Sequence, residues 1–147
     1  MTYVYVSGCC SPNPGAGGYG VIIELNGEIK EFSKGFTSTT NNRMELQGII
    51  DALNSLIEPC EVTVYSSSQY LVSGTKKLNP DNWKDDEINV KNADLWERLK
   101  KSIQKHTAVN FVWIGKNDGN KYKERCCELA KTAIAAYSQQ NTQNGLC

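Results

Sequence analysis

Residues 37–57 read TSTTNNRMELQGIIDALNSLI, and this stretch decides the fold. Its first six residues are polar, with hydroxyl and amide side chains suited to capping a helix. Leu46, Ile49, Ile50, Leu53 and Ile57 then recur at i, i+3, i+4, i+7 and i+11, the spacing of an amphipathic helix, and Pro59 ends it. The chain before this helix is different in kind. Residues 2–6 and 19–25 are β-branched and aromatic and read as strands. Asn26-Gly27 is a hairpin signal, since both positions of that two-residue turn need left-handed backbone. Residues 28–36 are the returning strand, and residues 7–18, rich in Gly and Pro, read as a loop. The first third is therefore a three-stranded antiparallel unit.

After the helix the pattern alternates. Residues 61–65 read as a strand, 68–78 as a short helix, and 79–89 as an acidic connection holding Asp81, Asp85, Asp86 and Glu87. Residues 92–106 place Leu95, Trp96, Leu99 and Ile103 on one helical face; 109–114 form a strand and 115–121 a loop. Residues 123–137 place Cys126, Ala130, Ala133, Ile134 and Tyr137 on one side of a last helix. The order is β-β-β-α-β-α-α-β-α. Strands reached through helices lie parallel to their neighbours. An α/β fold follows: a mixed five-stranded sheet, three strands antiparallel and then two parallel, flanked by helices. The domain is read as residues 1–137, with 138–147 a polar tail rich in Gln and Asn.

At 147 residues and 16.3 kDa the chain has room for one core. Sixteen basic residues balance 16 acidic ones, which excludes gripping nucleic acid by bulk charge alone. No apolar run approaches a membrane span, and MTYVYVSG lacks the features of a signal peptide. The expected location is the cytoplasm, or the interior of a virus or organelle, with no membrane partner. Such compartments keep cysteines reduced, so Cys9, Cys10, Cys60, Cys126, Cys127 and Cys147 read mostly as buried thiols. A metal site joining Cys9 or Cys10 to Cys127 would have no standard ligand spacing.

Several pieces resemble type 1 ribonuclease H, in the right order and over nearly the whole chain. They are Asn13-Pro14-Gly15 with Gly17-Gly18-Tyr19-Gly20, then Thr39-Thr40-Asn41-Asn42-Arg43-Met44-Glu45-Leu46, then Ser68-Gln69-Tyr70. Val90-Lys91-Asn92 with Asp94-Leu95-Trp96, and Glu124-Arg125-Cys126 with Glu128-Leu129-Ala130, complete the set. The resemblance implies the ribonuclease H fold and a family that cuts the RNA strand of RNA/DNA hybrids. In that family four carboxylates hold two Mg²⁺ ions about 4 Å apart, and a histidine assists release. Carried over residue by residue, three of the four carboxylates are replaced. Glu45 is kept; the other ligand positions hold Ser7, Ser67 and Cys127, and Asn117 stands nearest the histidine's place.

Mg²⁺ is a hard ion held by carboxylates and phosphates. Two hydroxyls and a soft thiol are poor substitutes, so no metal or other cofactor is expected and the two-metal reaction should be absent or severely impaired. Rescue would need Asp118 or Glu128 to swing into the site, although Glu128 points about 100° away from Cys127 around the helix. The resemblance also implies nucleic-acid contacts at Cys10, Asn13, Thr40, Asn41, Asn42, Arg43, Ser68, Gln69 and Trp83. Amides and hydroxyls suit a minor groove lined by 2′-hydroxyls. Thr40, Asn41 and Asn42 could equally be kept to cap the helix, and Arg43 to pack. The basic residues Lys116, Lys121, Lys123 and Arg125 near the last helix read as a solvated face. Three functions stand open: an inactive binder of RNA/DNA hybrid or structured nucleic acid, an assembly subunit contacting protein, and an active hybrid endoribonuclease with relocated metal ligands.

Overall fold

The computed structural model describes residues 2–12, 14–76, 92–115 and 120–141. In chain order they form β1 (Thr2–Cys10), β2 (Gly15–Leu25), β3 (Glu28–Thr39), α1 (Asn41–Ser55), β4 (Glu61–Ser66), α2 (Gln69–Lys76), α3 (Ala93–Gln104), β5 (Ala108–Trp113) and α4 (Lys121–Asn141). The sheet order is β3-β2-β1-β4-β5. β1 pairs antiparallel with β2, and β2 with β3; β1–β4 and β4–β5 are parallel. This is the mixed sheet that the element order predicts. Asn26 and Gly27 turn the first hairpin with φ of 52° and 85°, both left-handed as a two-residue turn demands.

Alternation along the strands sorts the two faces. Val4, Val6, Val21, Ile23, Val62 and Val64 face α1 and α3, where Leu46, Ile49, Ile50, Leu53, Leu95 and Leu99 close the main core. Tyr5 and Ile22 face the other way and meet Cys126 of α4. A Cβ on Gly20 would lie 2.2 Å from the Cys126 carbonyl oxygen, so only glycine lets α4 approach β2 this closely.

Several element ends differ from the sequence reading. β1 runs to Cys10 and β2 starts at Gly15, because Gly8, Cys9 and Cys10 pair with Tyr19, Gly18 and Gly17. Those bonds come from the backbone and need no β-forming side chain. β3 likewise continues to Thr39. α1 stops at Ser55: the Ser55 hydroxyl donates to the Ala52 carbonyl and Leu56 is extended. Ile57, expected in the core, lies past that end and is 98% exposed. α4 continues to Asn141 because residues 138–141 contain no helix breaker.

Trp96 is buried, with its indole N–H on the Tyr70 hydroxyl at 3.0 Å. Trp113 is half exposed at the end of edge strand β5. No helix among the described residues is long and apolar enough to cross a membrane. Asn13, Trp83, Asn117, Asp118, the acidic connection 79–89, and residues 142–147 lie outside the described residues.

Candidate functional site

β1 and β4 are parallel neighbours, and their carboxyl ends open onto the start of α1 and the first turns of α4. In open α/β sheets such a crevice is the usual place for a ligand. Here it is a cleft of about 530 Å³. Ser7, Glu45, Ser67 and Cys127, four positions brought together only by the resemblance, all line it, as do Asn41, Asn42 and Ser68.

Glu45 is one helical turn inside α1 and almost wholly buried. It reaches β1 because Gly8 has no side chain: a Cβ there would lie 2.7 Å from the Glu45 nitrogen. Both carboxyl oxygens are engaged. Oε1 accepts from the Gly8 N–H at 3.0 Å and Oε2 from the Ser66 hydroxyl at 3.3 Å. Burial pushes this carboxyl up to about 7, although the Gly8 N–H, the Ser66 hydroxyl and the charge of Lys123 all favour the ionised form. Across the cleft the Ser7 hydroxyl and the Cys127 thiol share a hydrogen bond at 3.1 Å. Two positions that carry metal-binding carboxylates in the resemblance are therefore satisfied by each other.

This donor set does not fit a pair of Mg²⁺ ions. Among the described lining residues the one carboxyl is turned to backbone and serine, the Ser7 hydroxyl is paired with a thiol, and the Lys123 ammonium stands beside the carboxyl. Among the described residues no three His, Cys, Asp or Glu side chains are grouped to hold a metal. Glu128 is exposed and does not line the cleft. None of Cys9, Cys10, Cys60, Cys126 and Cys127 is in a disulfide.

The expected nucleic-acid contacts divide. Thr40 is the N-cap of α1, its hydroxyl accepting from the Arg43 N–H at 3.2 Å. Ser68 plays the same part for α2, accepting from Leu71 at 3.1 Å. Cys10 is buried, its thiol ringed by the carbonyls of Pro12, Gly15 and Thr39. Arg43 makes a two-pronged pair with Asp94 at 3.0 and 2.8 Å and touches Asn92 at 3.3 Å. This pair holds Asp94 down to about 2. Gln69 is exposed at the start of α2 and is not among the lining residues.

Three residues that matter here were not assigned to the site by the sequence reading. Ser66, neighbour to the carried-over Ser67, is the one that binds Glu45. Lys123 is not on a solvated face. It is buried, lines the cleft and donates to the Gly115 carbonyl at 3.0 Å. Lys131 lines the cleft too. The signal was present: Lys123, Cys127 and Lys131 recur at i, i+4 and i+8, one stripe of a helix.

A mixed sheet whose parallel strand ends meet two helices at a polar cleft is an architecture built to place a ligand against α1 and α4. The ribonuclease H family model matches residues 1–135. The chain is 45% identical to ribonuclease HI of Haemophilus influenzae over 133 residues, 87% of this chain and 86% of that protein. It is 43% identical to ribonuclease H of Shewanella baltica over 148 residues, 95% and 92% of the two chains. Its fold superposes on that of LC11-RNase H1, solved in complex with RNA/DNA hybrid, with a TM-score of 0.70 at 26% identity, covering 93% of this chain and 99% of that one. The chain belongs to the ribonuclease H family.

Proposed function

We propose that this chain binds RNA/DNA hybrid at the cleft between α1 and α4 and does not cut it, or cuts it only very slowly. One observation carries the reading. At the cleft's centre a serine–thiol pair and a buried, fully engaged carboxyl stand where the resemblance puts metal-binding carboxylates. One buried carboxyl is too little anionic oxygen to offset the repulsion between two divalent ions, so neither a metal-bound nucleophile nor leaving-group stabilisation is available. The groove is a separate matter. Asn41 and Asn42 still line it, and a relative of the same fold is solved with hybrid bound. The cytoplasm, or the interior of a virus or organelle, is the compartment that accords with its thiols.

The test pairs binding with cleavage. Labelled RNA/DNA hybrid, duplex RNA and duplex DNA are titrated with the protein, and hybrid is incubated with it in Mg²⁺ and in Mn²⁺. Preferential retention of hybrid without product is the expected result. The triple variant Ser7→Asp, Ser67→Asp, Cys127→Asp should raise cleavage by orders of magnitude, since parts of a catalytic unit act together. Cleavage by the unaltered chain at the triple variant's rate would refute the inactive reading. Failure to retain any duplex would refute binding and leave an assembly role through protein contact.

A further inference from the structure

We propose that the cleft seats a backbone phosphate directly on Lys123 and Lys131, with no divalent ion between protein and nucleic acid; this rests on the hybrid-binding reading above. α4 presents Lys123, Cys127 and Lys131 at successive turns, and all three line the same cleft. The residue at the family's metal-ligand position thus lies one turn from an ammonium on either side. Opposite stand Ser7, Ser67 and the amides of Asn41 and Asn42, which are uncharged. Among the described residues that line the cleft Glu45 is the one carboxyl, and its oxygens are turned to the Gly8 N–H and the Ser66 hydroxyl. Two cations against one buried carboxyl reverse the sign that a four-carboxylate site would have.

Lys123 is poised for this task. Burial of an ammonium is unfavourable unless it is hydrogen-bonded and compensated. The Gly115 carbonyl takes one of its three donors. A phosphate oxygen in the cleft would take another. Lys131 is exposed at the other end of the stripe and supplies a second charge without being buried first. In a two-metal site the cations that meet phosphate are bound ions, which chelation removes. Here they belong to the chain.

The test measures hybrid affinity by fluorescence anisotropy across a salt series, in EDTA and in MgCl₂. Affinity should be equal within about twofold in the two buffers. Lys131→Ala should weaken binding about three- to tenfold and lower the slope of log affinity against log salt by about one phosphate contact. Lys123→Met should act in the same direction, with a thermal melt to check that the buried site still folds. Cys127→Asp places a carboxylate between the lysines, so its affinity should fall in EDTA and recover in Mg²⁺. Hybrid binding that vanishes in EDTA would overturn the phosphate seat. So would Lys131→Ala with unchanged affinity and slope. An unaltered chain that binds no hybrid in either buffer would overturn the hybrid-binding reading itself, a result distinct from the other two.

Discussion

At the amino end of β4, one imidazole closes the fold. The Cys60 N–H donates to His106 Nδ1 at 3.1 Å, so Nε2 carries the proton and meets the Leu53 carbonyl at 2.9 Å. That single side chain ties the end of α1, the start of β4 and the turn after α3. At the carboxyl end, Ser66 meets a carboxyl whose burial is unfavourable to its charge. The first end satisfies backbone groups and needs nothing more. The second keeps a buried acid that the fold alone would not require, beside two lysines and a thiol. The contrast separates what holds the sheet together from what the sheet holds.

The largest effect expected at the closed end is packing. Leu53, on the inner face of α1, is fully buried, and Leu53→Ala should lower unfolding free energy by about 2–5 kcal/mol, read by denaturant titration. A loss under about 1 kcal/mol would mean that this end collapses around the gap and is less rigid than its bonding implies. The hydrophobic spacing of α1 was enough to identify Leu53 as core. It also pointed to Ile57, wrongly, because a periodic pattern does not record where a helix stops. Ser55 and Leu56 end the helix through a hydroxyl bond and an extended backbone, to which spacing is blind. The same holds for residues 8–10 and 15–18, which pair as strand through backbone groups alone. The resemblance named Ser7, Glu45, Ser67 and Cys127, and the fold brings all four to one cleft. It could not reveal that Ser7 and Cys127 bond to each other, or that Lys123 turns inward, since both depend on how α4 is set against β1.

Next comes pH, acting at the open end. The Glu45 carboxyl is raised from an ordinary 4.5 to about 7 in the folded chain. Above pH 7 both states are ionised and the fold bears the full cost of the buried charge. As pH falls through 7 the folded state takes up a proton before the unfolded state does, so stability rises, and it levels off below about 4.5. The gain is about 3 kcal/mol across that window. Glu45→Gln should be more stable than the parent at pH 8 and should lose this slope. An unchanged slope in the variant would show that the carboxyl is less desolvated than its burial implies. The depressed Asp94 works the other way, losing its pair only as pH falls through about 2, outside this window.

His106→Ala sharpens the comparison at the closed end. It leaves the Cys60 N–H without its acceptor and removes one donor from the Leu53 carbonyl, at a cost of about 1–3 kcal/mol. Hybrid affinity should not change, because the imidazole sits at the opposite end of β4 from the cleft. A variant that kept its stability but lost affinity would erase the distinction between the two ends.

The smallest effect is the most discriminating for the groove. Arg43 is held by Asp94 in an exposed pair, with 35% and 61% of the two side chains open to solvent. Exposed pairs of this kind contribute up to about 1 kcal/mol. Asp94→Asn should therefore change stability little. It should, however, release the guanidinium and remove an acid near it. If Arg43 faces the hybrid's phosphates, the variant should bind about two- to fivefold more tightly, with a steeper dependence on salt. If Arg43 serves only to fasten α1 to α3, affinity should stay level or fall as that joint loosens. The direction of the change, measured at one protein concentration series and two salt levels, decides whether the rim beside Thr40 and Asn41 belongs with the open end of β4 or with the scaffold behind it.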